Sequence, residues 1–200
     1  MTRFYKIVRA VVRVAVKLMF RAKVVGAENI PGDGAFLLCC NHTSMLDIPL
    51  LIAISPRPIS FMAKKELFGF KPFGMVLRAM GAFPVDRGGR DIAAIRHSCS
   101  LIEKGEVLGV FPEGTRYRDC KPPREVKSGV SFIAMKTGAD ILPIAIYKEK
   151  GTHPFRRVTV RIGGVIKNTD LCEGKPTKEN IAKVSEKLHK TIKELWELKF

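Results

Sequence analysis

Four short apolar runs, residues 36–40, 59–63, 107–111 and 141–147, set the limits on how this chain can fold. A bounded apolar run of about four to eight residues reads as a buried strand. The first run stops abruptly at Asn41-His42, the third at Pro112-Glu113-Gly114. Helical patterns lie between the runs. Across residues 91–104, Ile92, Ile95, Cys99 and Ile102 recur at spacings of 3, 4 and 3, and Gly105 ends that helix. Strands and helices alternate, so the expected fold is α/β: a single layered domain with a mixed, mostly parallel sheet flanked by helices. Loops at the carboxyl ends of such strands form the edge where open α/β sheets bind ligands.

Turn chemistry places the remaining elements. Residues 24–29 read as a short strand, followed by a turn at Pro31-Gly32-Asp33-Gly34. A helix is opened by Pro72 and closed by Gly81. Another runs from Lys127 to Gly138, and a last one over about 178–199 puts Ile181, Val184, Leu188, Ile192 and Leu195 on one face. Residues 82–85 form a strand broken by Pro84, hence an edge. In 158–162, Val158, Val160 and Ile162 alternate with Thr159 and Arg161, the pattern of a half-exposed strand.

The loop after the first run carries the most chemistry. Asp47 follows His42 by five residues. On one continuous helix that spacing sets the two about 140° apart, at roughly 100° per residue. Pro49 is tolerated only in a first helical turn, so a helix here begins near Leu46 or Asp47. His42 then lies in the preceding loop, free to fold back. Imidazole is suited to take a proton near neutral pH, and a carboxylate that fixes its tautomer makes it an effective base. The spacing alone leaves open that Asp47 is a plain helix cap and His42 a polar loop residue.

The net charge is +16, which implies an anionic partner: nucleic acid, an acidic membrane, or an acidic protein or substrate. Five cysteines without a CxxC pair argue against a disulfide framework and against zinc, and read as reduced thiols in a cytosolic protein. His42, His97, His153 and His189 show no metal-ligand spacing. No run approaches the roughly 20 apolar residues of a transmembrane helix, and the N-terminus lacks the uncharged core of a secretory signal.

Residues 1–23 are expected to form an amphipathic, membrane-associating helix, and residues 24–200 the α/β domain. Arg3, Lys6, Arg9, Arg13, Lys17 and Arg21 fall within an arc of roughly 120°. Phe4, Ile7, Val8, Val11, Val12, Val14, Ala15, Leu18, Met19 and Phe20 fill the rest. A wide apolar face beside a purely basic stripe suits a helix lying in a membrane interface. The alternative is a helix that packs its apolar face on the domain and solvates its charges.

Three loops at strand ends now stand together: NHTSMLD at 41–47, the Asp86-Arg87-Gly88-Gly89-Arg90 loop, and PEGTR at 112–116. Arg87 and Arg116 offer planar forks that match phosphate oxygens bidentately. Glu113-Gly114-Thr115 is a loop able to aim backbone N–H groups at an anion. At this point the sequence resembles the glycerolipid acyltransferases, most closely the 1-acylglycerol-3-phosphate (lysophosphatidic acid) acyltransferases. NHTSMLD fits the NHxSxxD block of that family, FPVDR at 83–87 is similar to its second block, FPEGTR at 111–116 is the third in full, and LPIAI at 142–146 is similar to the fourth. These blocks cover roughly residues 35–147. Tyr117-Arg118 departs from the pattern, where a small serine is expected.

The resemblance implies a reaction. His42, oriented by Asp47, takes the proton from the 2-hydroxyl of lysophosphatidic acid. The oxygen attacks the thioester of acyl-carrier protein or coenzyme A, and phosphatidic acid forms without a covalent acyl-enzyme. Ser44 is then structural. Arg87 and Arg116 clamp the phosphate, with Lys127 as a further contact, Glu113, Gly114 and Thr115 shape the loop, and Pro143 lies in the block associated with the acyl donor. No metal or other cofactor is implied. The expected setting is peripheral, on the cytoplasmic face of an anionic membrane. Glycerol 3-phosphate or another lysophospholipid is the alternative acceptor. A nucleic-acid binder and a non-catalytic membrane-surface protein are the alternatives of other classes. No helix-turn-helix, zinc-finger or RNA-binding motif supports the former, and no nucleic-acid partner is expected.

Overall fold

The computed structural model describes residues 3–19, 21–86, 91–119, 121–148, 157–171 and 174–198. The strand at residues 36–40 is the centre of the architecture. Phe36, Leu38 and Cys40 enter one core cluster while Leu37 and Cys39 enter another, so every side chain of this strand is buried. That is what a continuous apolar run requires, because successive side chains alternate between faces.

In chain order the elements are α1 (Arg3–Met19), β1 (Arg21–Val25), β2 (Phe36–Cys40), α2 (Asp47–Ile54), β3 (Ile59–Lys64), α3 (Lys71–Ala79), β4 (Phe83–Val85), α4 (Ile92–Glu103), β5 (Val107–Val110), α5 (Ser128–Thr137), β6 (Asp140–Lys148), β7 (Arg157–Ile162) and α6 (Lys178–Glu197). The strands join one sheet in the order β1-β7-β6-β2-β5-β3-β4. All neighbours are parallel except β6 and β7. Tyr5 and Val16 of α1 join Leu50, Leu51, Ile52 and Ala53 of α2 on one face of the sheet. Residues of α4, α5 and α6, among them Cys99, Ile133 and Leu188, cover the other. The result is a sheet between two helical layers, as the alternating pattern predicts.

The chain leaves β2 for α2 on one face, and leaves the adjacent β5 for α5 on the other. Where neighbouring connections diverge to opposite faces, a crevice opens at the carboxyl edge of the strands. The loops after β2 and β5 flank it.

Three expectations change. The N-terminal helix ends at Met19, and residues 21–23 belong to β1 rather than to the helix, with residues 27–29 a 3-10 turn after the strand. β7 is not half-exposed: Val158, Val160, Arg161 and Ile162 are all buried. The Arg161 guanidinium donates to the carbonyls of Leu195 and Trp196 in the last turn of α6. Unpaired carbonyls at a helix carboxyl end favour a cation there. The apolar surface of α1 is also divided. Tyr5 and Val16 are buried, whereas Ile7, Val11, Val14 and Leu18 stay exposed. Phe20 lies outside the described residues.

Pro143 is buried within β6, in register with Cys39. Its carbonyl accepts from Gly163 N at 2.9 Å. The β6–β7 ladder begins only at Ile144, so the missing N–H falls where β7 leaves the sheet, and a proline fits a central strand. β4 is the edge strand that Pro84 implied. Cys39, Cys40 and Cys99 are free, buried thiols, and Cys120 and Cys172 lie outside the described residues.

Gly109 of β5 has a packing reason. A Cβ there would lie 2.2 Å from Cε1 of Phe61 and 2.8 Å from Cγ2 of Ile59. Gly109→Ala should destabilise the fold by about 1–3 kcal/mol, read as a lower midpoint in urea unfolding; an unchanged midpoint would show that Phe61 moves aside freely.

Candidate active site

β2 ends where Asn41 takes over its hydrogen bonding. The Asn41 carboxamide accepts from Ile146 N at 2.7 Å and donates to Ile146 O at 3.1 Å. The side chain thus extends the ladder toward β6 while the main chain turns away. His42 enters the loop at that turn, and α2 starts at Asp47, as Pro49 required.

The carboxylate of Asp47 folds back onto the loop before it. Oδ2 accepts from Thr43 N and Ser44 N, each at 2.7 Å, and lies 3.1 Å from Nδ1 of His42. Asp47 N in turn donates to Ser44 O, and Ser44 Oγ accepts from Leu46 N. Ser44 therefore shapes the turn, consistent with a structural role. A carboxylate only accepts, so Nδ1 carries the imidazole proton and Nε2 keeps its lone pair. Asp47 is not a plain helix cap: its side chain anchors the histidine loop and bonds to no N–H of α2.

The other oxygen of Asp47 meets a residue that sequence reasoning missed. Lys148, at the end of β6, donates to Asp47 Oδ1 at 2.8 Å and to Thr43 Oγ1 at 2.6 Å. Both residues are buried. Burial pushes the Asp47 carboxyl up, but the His42 bond, the Lys148 charge and the Ser44 N–H outweigh it and hold it below the usual carboxylate range. Phe111, at the end of β5, stacks on the His42 ring with centroids 3.9 Å apart and planes 19° apart. The ring is thus fixed by a hydrogen bond at one atom and an aromatic plane against its face.

The loop after β5 closes on the same histidine. Tyr117 N donates to His42 O at 2.9 Å. Glu113 is buried, and its carboxylate accepts backbone N–H groups of Arg124 and His42. Burial raises its pKa to about 7 against those bonds and the charge of Arg124, with Asp119 adding to the rise. Gly114 sits at φ +70, where a Cβ would meet the Lys127 side chain at 2.8 Å, so Lys127 lies across the loop. Lys127 N also donates to Pro112 O at 2.9 Å. Thr115 is exposed and Arg116 half-buried on this loop. Neither has a hydrogen bond or ion pair to another described residue.

The structure therefore brings His42, Asp47, Glu113, Gly114, Arg116 and Lys127 to one edge of the sheet. Arg87 lies outside the described residues; its neighbour Asp86 pairs with Lys65. Pro143 is inside the sheet. Among the described residues, no group of three His, Cys, Asp or Glu side chains is placed to hold a metal ion. A fixed imidazole with a free lone pair, backed by a buried anion, is equipped to remove a proton from an alcohol. The arginine and lysine beside it are equipped to hold an anion.

Comparison with known proteins bears on the chemistry. A family model described as Acyltransferase matches residues 21–147, which contain all of these loops. The chain belongs to the acyltransferase family. It is 34% identical over 195 residues to the 1-acyl-sn-glycerol-3-phosphate acyltransferase of Bacillus subtilis (strain 168), an alignment that covers 96% of each chain. With the enzyme of that name from Streptococcus pneumoniae (strain ATCC BAA-255 / R6) it shares 31% identity over 150 residues, 72% of this chain and 55% of the other. The crystal structure of the 1-acyl-sn-glycerophosphate (LPA) acyltransferase PlsC from Thermotoga maritima matches it with a TM-score of 0.74 at 28% identity. That match covers 98% of this chain and 83% of the other. In this acyltransferase, then, the imidazole is suited to act on the acceptor alcohol.

Lys148 sets the electrostatics of the pair. In Lys148→Met the Asp47 carboxyl loses a charge and a hydrogen bond that help to hold it low. The stability contributed by its ionised form is lost as pH falls through the folded-state value, so the variant should begin to lose stability at a higher pH on acidification. Urea midpoints measured down the acid range check this; an unchanged acid dependence would limit Lys148 to packing.

Proposed function

We propose that this acyltransferase moves a fatty acyl group from an acyl thioester to the 2-hydroxyl of 1-acyl-sn-glycerol 3-phosphate, giving phosphatidic acid. The observation that carries the reading is the Nδ1–Asp47 bond, which leaves the His42 Nε2 lone pair as the base. As Nε2 takes the hydroxyl proton, the oxygen attacks the thioester carbonyl. The C–O bond forms, the C–S bond breaks, and the imidazolium returns the proton to the departing thiolate. Catalysis by such a base contributes about 10²–10⁴-fold; alignment and stabilisation of the oxyanion supply the rest. Arg116 and Lys127 hold the phosphate, joined by Arg87.

The donor is acyl-carrier protein or coenzyme A, and the +16 surface favours approach of either acidic species. The setting is the cytoplasmic face of an anionic membrane. Ile7, Val11, Val14 and Leu18 leave an exposed apolar stripe on α1, beside Lys6, Arg13 and Lys17. A helix of that kind supports binding in the plane of an interface. Among the described residues no helix is long and apolar enough to cross a membrane.

Mass spectrometry of products from each thioester, offered lysophosphatidic acid, glycerol 3-phosphate or a lysophospholipid without a free phosphate, tests the acceptor. Phosphatidic acid is expected. His42→Ala should lower turnover by about 10²–10⁴-fold with vesicle binding retained. Arg116→Ala should raise the apparent KM for the phosphorylated acceptor by about tenfold, the loss of a charge-assisted bond. Equal turnover of acceptors lacking phosphate would overturn the clamp, and a product other than phosphatidic acid would overturn the acceptor assignment.

A further inference from the structure

We propose that the segment from the 3-10 turn Lys65–Phe68 through α3 is a second lipid-contact surface, seated on an anionic bilayer beside the active-site edge. It rests on the reading of the acceptor as a membrane lipid. β3 runs parallel to β5, and β5 to β2, so the segment leaves the sheet at the edge that carries the His42 loop. No residue from Lys65 to Ala79 belongs to either core cluster; Met80, just after α3, returns the chain to one of them. Leu67, Phe70, Phe73, Met75 and Val76 are all exposed, Phe70 and Met75 each at 70%. Gly74 is the one buried residue of α3. A Cβ there would lie 2.9 Å from the carbonyl oxygen of Phe68, so the helix rests closely on its own 3-10 turn. The Arg78 guanidinium sits 4.9 Å from the centroid of the Phe68 ring. The apolar side chains are therefore presented on a braced hairpin.

Charge selects the occupant. From Lys65 to Ala82 the chain has three cations, Lys65, Lys71 and Arg78, and one acid, Glu66, which pairs with Lys64. Clustered exposed apolar side chains on one protein mark an interaction surface. Aromatic and methionine side chains on a segment of net positive charge fit the boundary of an anionic bilayer. A second copy docking through a two-fold axis would set the same cations against each other. Met45, exposed in the histidine loop itself, carries apolar surface toward the same edge. Together with α1, this would give the protein two separate lipid contacts and so fix the orientation of the site, where one helix alone leaves it free to swing.

Met75→Trp places a reporter on the segment, with the native Trp196 packed against Tyr147 as the background signal. Vesicles of phosphatidylcholine and phosphatidylglycerol, with and without brominated acyl chains, are the probe. The added emission should shift to the blue and be quenched by bromine. Vesicle binding without quenching at residue 75 would overturn the proposal. So would protection of that residue by acidic carrier protein in the absence of vesicles, which would assign the surface to a protein. Independently, Phe70→Ser/Met75→Ser should lower turnover of vesicle-embedded lysophosphatidic acid about tenfold, in line with losing two buried apolar side chains from a bilayer. Turnover of a short-chain acceptor dispersed as monomers should be unchanged. Equal loss on both acceptors would make the segment part of the fold or the acceptor site, and would overturn the proposal. Absence of turnover by the unmodified protein on every acceptor would sink the acyltransferase assignment of the substrate, while quenching at residue 75 would still report the lipid contact.

Discussion

A single buried carboxylate holds the site together. Asp47 is fully buried, and a bare charge there would cost several kcal/mol in lost solvation. Its donors offset that cost, and each comes from a defined place. The N–H groups of Thr43 and Ser44 and the His42 ring come from the loop after β2. The Lys148 ammonium comes from the end of β6. The loop can satisfy its share only by wrapping around the carboxylate, and that wrapping turns the imidazole. Lys148 can arrive only if β6 lies next to β2. The same anion thus couples strand order to the tautomer of a histidine, through a lysine 101 residues further along the chain than the carboxylate it helps to hold.

The second tie is Glu113. Its carboxylate accepts the backbone N–H of His42, while Tyr117 N donates to the His42 carbonyl. Both peptide groups of the histidine are therefore held by the loop after β5, and its ring is held by Phe111 from the same loop's root. The histidine loop and the loop after β5 are thus tied to each other at three points. A rigid link of this kind matters because an anion held on one loop and a proton taken on another must keep their separation through the reaction. Burial raises the Glu113 pKa to about 7, which moderates the negative charge buried beside the histidine loop.

Much of this was legible in the residues. The apolar run at 36–40 predicts a strand buried on both faces, and β2 is one. Pro49 predicts a helix starting at Asp47, and hence a loop that lets His42 fold back. Lys148 was not legible. A lysine closing an apolar strand reads as a solvated end, and only the pairing of β6 with β2 reveals that it faces an anion. Arg161 misled for a similar reason. Alternation in 158–162 signals one wet face, but the carboxyl end of α6 covers the guanidinium. The division of α1 into a packed stripe and an exposed stripe was also hidden. Periodicity reports where apolar residues point, and says nothing of how many neighbours are available to cover them.

That uncovered surface has a consequence for how the site meets its substrates. A soluble domain of this size ordinarily buries side chains such as Val11, Leu18, Phe70 and Met75, because leaving them in water forfeits about 1.5–3 kcal/mol apiece. Here the core is complete without them: both clusters are closed around β2 by other residues. On the two-contact proposal the exposed apolar groups are lipid-facing surface rather than a deficit of packing, and the cations interspersed with them favour an anionic partner. A lipid acceptor with an anionic headgroup has its chain in hydrocarbon and its hydroxyl at the boundary. An enzyme fixed by two contacts at that boundary can bring its imidazole to the hydroxyl without drawing the chain into water, and leaves its basic outer surface open to the thioester that arrives from solution.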